Sequence, residues 1–173
     1  MARFLLVGPP PHVLLLGTGL TEQGHAVRAI TSDVNQAAGL ESSAIELVNA
    51  DRALLGTVLP HLDGVAIVCW LSEADSDEDQ TPAAAERHAE RITGLMEKIV
   101  DTGVRGFVYE AKPGTSSAVA AIEQASKTWM IPVATFSAAA DDPAAWLQAA
   151  DEAIDQALRP ALCEGRAGGS IRV

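Results

Sequence analysis

The stretch Arg3-Phe4-Leu5-Leu6-Val7-Gly8-Pro9-Pro10-Pro11-His12-Val13 decides how the rest of the chain is read. Four apolar residues in a row, closed by a glycine, predict a strand buried on both faces. A turn follows, and then prolines that suit the opening of a helix, where a missing N–H costs no helical bond. A strand feeding a helix through a glycine turn is also where α/β proteins hold phosphate, on the free N–H groups of the helix start. Pro9, Pro10 and Pro11 have no N–H to give. The stretch predicts the architecture of a nucleotide site with three of its donors removed.

A second stretch competes with it. Gly17-Thr18-Gly19-Leu20-Thr21-Glu22 follows Val13-Leu14-Leu15-Leu16 and also looks like a strand entering a glycine-rich loop. Only Leu20–His25 would then separate it from the next strand, and a parallel crossover needs about a dozen residues. Pro10–Gly24 is therefore predicted as the first helix, ended by Gly24-His25. Gly17 and Gly19 are expected to let that helix lie close to the sheet, at some cost in helix propensity.

Outward from there, apolar runs alternate with helical patterns to the end of the chain. Strands are predicted at Phe4–Val7, Val27–Thr31, Ile45–Val48, Val65–Leu71, Gly106–Tyr109 and Ile131–Phe136. Ile92, Leu95, Met96, Ile99 and Val100 repeat at helical spacing after Thr81-Pro82, with Gly103 as a stop. A last helix from Asp142-Pro143 is expected to bury Trp146, Leu147, Ala150, Ile154 and Leu158. Alternation of this kind predicts an α/β fold: a doubly wound, parallel, six-stranded Rossmann-type sheet with helices on both faces, five of them connecting strands. It forms a single domain over 1–158. Residues 159–173, opened by Arg159-Pro160 and rich in glycine, read as a tail that is flexible or docks on a partner.

Composition narrows the class. With 173 residues, 48% apolar, the chain suits one domain with a full core. No run approaches a membrane span, and the opening residues lack a signal-peptide pattern. The two cysteines, Cys69 in a strand and Cys163 in the tail, imply neither disulfides nor a metal cluster, so a cytoplasmic setting is the expectation. A net charge of −11 argues against nucleic acid and anionic membranes as partners, since both need a basic patch.

In that frame several landmarks stand in order. They are Phe4-Leu5-Leu6-Val7-Gly8, then Gly24-His25-Ala26-Val27-Arg28-Ala29-Ile30, Asp51 after the third strand, and Leu62-Asp63-Gly64-Val65 before the fourth. Thr102-Gly103-Val104-Arg105-Gly106-Phe107-Val108-Tyr109 opens the fifth strand, and Trp129-Met130-Ile131-Pro132-Val133 the sixth. Over roughly residues 3–137 the chain resembles the atypical and extended branches of the short-chain dehydrogenase/reductase superfamily. The resemblance implies NAD or NADP as cofactor, with affinity weakened by Pro9, Pro10 and Pro11. It implies a cofactor-binding edge made of Gly8, Pro10, Pro11, His12, Ser32, Asp51, Trp70 and Leu71. It also implies that a small-molecule nucleotide is the partner, and that a homodimer packs through helices Pro82–Thr102 and Ser116–Thr128.

The departures from that family are specific. Its Gly-x-x-Gly-x-x-Gly turn falls on Gly8, Pro11 and Leu14, so one glycine survives. Ser32 stands where relatives often place an arginine for an NADP phosphate, and Asp33 is one place out of register for a ribose contact. Asp51 falls where many relatives contact adenine, but it reads first as the N-cap of a helix Arg52–Leu59. The family's proton relay needs a tyrosine, a lysine four residues on, and a serine on the fifth strand. The sole tyrosine, Tyr109, lies within that strand; four residues on is Pro113, and the serine position falls near Ala111 or Lys112. No catalytic residue is assigned from this pattern.

Other clusters read blandly. The run Ser72-Glu73-Ala74-Asp75-Ser76-Asp77-Glu78-Asp79 lacks a calcium-loop pattern and reads as a solvated loop. Trp70 either stacks on a base or fills core, and core is preferred; Trp129 and Trp146 read as packing residues. His12, His25, His61 and His88 show no metal spacing. His12 is expected to cap the surface, with a weakened anion site at the N–H groups of His12 and Val13, and Ser116 and Ser117 to cap a helix. Three functions remain open: a nucleotide-sensing, regulatory or accessory protein without Tyr-Lys chemistry; an atypical NAD(P)-dependent reductase or epimerase using Glu110, Lys112 or His12; and a non-enzymatic homodimeric interaction protein.

Overall fold

Phe4 to Val7 are wholly buried because strand β1 (Arg3–Val7) runs through the middle of a sheet covered on both faces. In the computed structural model the strands β2 (Ala26–Thr31), β3 (Ile45–Asn49), β4 (Ile67–Trp70), β5 (Gly106–Glu110) and β6 (Val133–Phe136) complete it. Every neighbouring pair is parallel, in the order β3-β2-β1-β4-β5-β6. The structure describes residues 1–31, 44–72, 81–138 and 141–159. The predicted doubly wound sheet is therefore present. The helices of four of the five expected crossovers are described; the crossover between β2 and β3 falls on 32–43, outside the described residues, as do 73–80 ahead of the helix between β4 and β5 and the tail from 160 onward.

The helices α1 (Pro10–Glu22) and α5 (Pro143–Leu158) cover one face, over Phe4, Leu6, Leu16, Cys69 and Trp146. The other face lies under the short α2 (Leu55–Val58), α3 (Pro82–Ile99) and α4 (Ser116–Trp129), over Leu5, Val7, Trp70, Leu95 and Tyr109. The first helix is the one the crossover argument requires. It ends in a Schellman closure: Gly24, at φ +83°, donates its N–H to the Thr21 carbonyl at 3.0 Å, and His25 donates to Leu20 at 3.0 Å.

The capping residues are partly as expected. Thr81 Oγ1 accepts from the Ala84 N–H at 3.2 Å, and Asp142 Oδ1 accepts from Ala144 and Ala145 at 3.1 and 3.0 Å. Ser116 and Ser117 do not cap: α4 begins at Ser116 after Thr115, whose hydroxyl is engaged with Lys112 instead. Asp51 does not cap a helix Arg52–Leu59 either. Its carboxylate closes a local turn on the Ala53 N–H at 2.8 Å, and the helix is only Leu55–Val58, followed by a 3-10 turn at Leu59–Leu62. Proline at 60 tightens the chain there. Gly17 behaves as predicted, since a Cβ there would meet the Ile45 side chain at 2.5 Å; Gly19 does not, with its nearest neighbour 4.0 Å away. Leu158, expected in the core, is 44% exposed because the apolar stripe of α5 is completed by Ala157 instead.

Candidate functional site

The strand order reverses between β1 and β4, and in open parallel sheets ligands bind at that switch point, outside the carboxyl ends of the strands. Here that edge is formed by the turn after β1, the first turn of α1, Leu71 and Ser72 after β4, and the end of β5. Val7 pairs with Trp70, and Trp70 with Tyr109, so the next residues along are Gly8, Leu71 and Glu110.

Gly8 is required by packing. A Cβ there would stand 2.5 Å from the Leu71 Cβ and 3.0 Å from its carbonyl oxygen. Leu71 is wholly buried and donates its N–H to the Val7 carbonyl at 2.7 Å. The β1–α1 turn is thus pressed onto the end of β4. Pro9 is the N-cap of α1, and Pro10 and Pro11 are its first two residues. A helix start leaves four N–H groups without internal partners. Three are missing here. Val13, expected to be a remaining donor, gives its N–H to the Pro9 carbonyl at 3.0 Å, so His12 alone keeps one.

The His12 side chain is not a surface cap. It is only 15% exposed, and its ring lies over Trp146 with centroids 4.5 Å apart and planes 30° apart. Its Nδ1 stands 3.5 Å from Glu110 Oε2, an ion-pair distance that does not make a hydrogen bond, so Nδ1 is buried without an acceptor. Glu110 is 1% exposed and the one buried acidic residue of the described core. Its Oε1 accepts from Trp146 Nε1 at 2.9 Å and its Oε2 from the Ser72 N–H at 3.0 Å, while the Ser72 hydroxyl donates to the Glu110 carbonyl at 2.6 Å. Burial alone would raise the pKa of this carboxyl. The His12 and Trp146 contacts and the Ser72 N–H outweigh it and hold the group below the usual glutamate range.

The sequence therefore named His12 and Glu110 separately, and the fold brings them together. It missed the third member: Trp146 packs as expected but also donates to Glu110. Buried indole N–H groups need partners, and that general rule was the only available signal.

The remaining expected site residues are spread along the same edge. Trp70 is 2% exposed and packs on the α3 face, its ring 6.2 Å from that of His88. Asp51 lies beyond β3 and is engaged with Ala53 and Thr57. Ser32 and most of the acidic run, 73–79, lie outside the described residues. Tyr109 is wholly buried, and its hydroxyl is 2.8 Å from His88 Nε2, on the opposite side of the sheet from Glu110. Lys112, the third candidate group, stands beyond β5 in the turn that Thr115 closes. Cys69 is buried, which pushes its thiol pKa far up and makes it a poor nucleophile. Among the described residues no group of three metal-ligating side chains exists, and no helix is long and apolar enough to cross a membrane.

No family model and no curated protein matches the chain. Solved structures do match in fold. Vestitone reductase from alfalfa superposes with a TM-score of 0.59 at 14% identity, over 78% of this chain and 56% of that one. The dTDP-glucose 4,6-dehydratase DesIV of Streptomyces venezuelae, with NAD bound, gives 0.61 at 16%, over 78% and 55%. The Citrobacter triphenylmethane reductase complexed with NADP(H) gives 0.55 at 20%, over 76% and 47%. The chain spans about half the length of these proteins. What it shares with these two reductases and this dehydratase is the Rossmann fold.

Proposed function

We propose that this protein is a nucleotide-sensing accessory module: it takes a nucleotide weakly at the switch-point crevice and carries out no Tyr-Lys redox chemistry. The observation that carries this reading is the first turn of α1, where proline at the N-cap and the next two positions leaves one free N–H, that of His12. Binding of a diphosphate at a helix start draws on several such donors together with the helix dipole. Tyr109 supports the second half of the reading. It is sealed inside β5 against His88, with Pro113 where the relay's lysine would stand.

The structural neighbours support the nucleotide half, since those named with NAD or NADP(H) share this fold. A working reductase built on Glu110 and His12 fits the geometry less well. Glu110 is closed off by Trp146 and Ser72, and a catalytic group must reach its substrate.

The test is a thermal-shift titration with NAD⁺, NADH, NADP⁺ and NADPH, run beside an absorbance assay for reduced cofactor. A ligand at 100 times its dissociation constant adds about 2.7 kcal/mol to the native state. In a domain of this size that is a rise of roughly 5–10 °C. The expected result is a smaller shift, seen only at millimolar ligand, with no cofactor turnover. A full shift at micromolar ligand, or steady turnover, overturns the reading.

A further inference from the structure

Glu110 is a carboxylate that the fold brings to the carboxyl edge of the sheet, where two donors and one ion-pair partner from three different elements surround it. Trp146 Nε1 comes from α5, the Ser72 N–H from the segment after β4, and the His12 ring from the first turn of α1. At 1% exposure it is shielded from water, so its charge acts at close range with little screening. Its Oε2 lies between Ser72 and His12, the same two segments that frame the β1–β4 switch point.

We infer that Glu110 is a resident anion: the protein's own carboxylate takes the Trp146 and Ser72 donors at the switch point and makes the site discriminate against phosphate-bearing ligands in favour of uncharged nucleosides. The inference rests on the preceding reading only in taking this crevice as the ligand's place. The prolines and Glu110 then act in the same direction by different means. Pro9, Pro10 and Pro11 remove donors that a phosphate would use. Glu110 adds a negative charge 3.5 Å from the side-chain Nδ1 of His12, the residue that carries the one remaining helix-start N–H. A diphosphate entering the crevice would meet that carboxylate across His12.

The experiment compares wild type with Glu110→Gln, which keeps the side-chain shape and every proline while removing the charge. Inorganic pyrophosphate is the probe, titrated by calorimetry, with circular dichroism to verify that the variant is folded. The variant is expected to bind pyrophosphate at least tenfold tighter than wild type. A folded variant that binds no tighter overturns the inference.

Because a buried amide facing the Trp146 and Ser72 donors can unfold the chain, wild type is also titrated with adenosine and with ADP. The inference requires ADP to bind no tighter than adenosine. ADP binding tenfold tighter or more overturns it, whatever the variant does. If neither adenosine nor ADP binds wild type, the nucleotide reading of the crevice and the preference for nucleosides both fall.

Discussion

Glu110 is the residue on which most of the local chemistry turns. A carboxylate whose folded pKa lies below its unfolded value binds fewer protons in the native state, so it stabilises the fold above that unfolded value. The contribution is complete above about pH 4.5, the ordinary glutamate value, and is lost as pH falls through the lowered folded value. The melting temperature of wild type is therefore expected to fall more steeply below pH 4.5 than that of Glu110→Gln; parallel curves would show that the charge is not coupled to folding. Trp146→Phe isolates one donor. It keeps a ring against His12 and Phe136 but deletes the 2.9 Å bond from Nε1. Hydrogen bonds to buried charges contribute about 1.5–3 kcal/mol, and a loss of that size is expected in urea unfolding. A loss below roughly 0.5 kcal/mol, the size of a surface substitution, would mean that the bond is replaceable.

At the scale of elements, the helices show which local signals were strong. Thr81 and Asp142 cap their helices through their side chains, as polar residues before Pro82 and Pro143 should. The end of α4 is the opposite case. Met130 takes the left-handed conformation, φ 56° and ψ 30°, where glycine is usual, and it is 80% exposed. A non-glycine residue there costs about 1–2 kcal/mol, and an exposed side chain returns little packing. Met130→Gly is expected to raise stability by about 1 kcal/mol in urea unfolding, while the Ser126 hydroxyl keeps its 2.7 Å bond to the Ile131 carbonyl. A loss of stability on that substitution would mean that Met130 makes compensating contacts.

For the whole molecule, the two faces of the sheet differ in what they expose. The α3–α4 side, where the family resemblance places a homodimer, presents a groove lined by Glu86, Glu90, Thr93, Glu97 and Ser117. Two copies meeting there about a two-fold axis would bring these carboxylates together, in a chain whose formal charge is already −11. The protein is expected to be a monomer by light scattering at micromolar concentration and low salt, with any association through this face strengthened by added salt. A dimer that is tight at low salt would show that another surface pairs the subunits.

The sequence by itself determined the architecture. Continuous apolar runs such as Val65–Trp70, glycine and proline at the boundaries, and the length a parallel crossover needs were enough to predict six parallel strands and to reject Val13–Leu16 as the first of them. These signals are local, and each strand or helix carries its own. The loss of phosphate donors at Pro9–Pro11 was legible for the same reason, because a missing N–H belongs to the residue itself. The union of His12, Ser72, Glu110 and Trp146 was not. These residues lie on four segments far apart in the chain, and only the strand order and the register at the carboxyl edge bring them within hydrogen-bond and ion-pair reach. Nor could the sequence show that His12 turns inward, that Leu158 turns outward, or that Val13 is engaged by Pro9. Those outcomes depend on which face of a helix meets the sheet, and tertiary packing decides that by excluding water from one side.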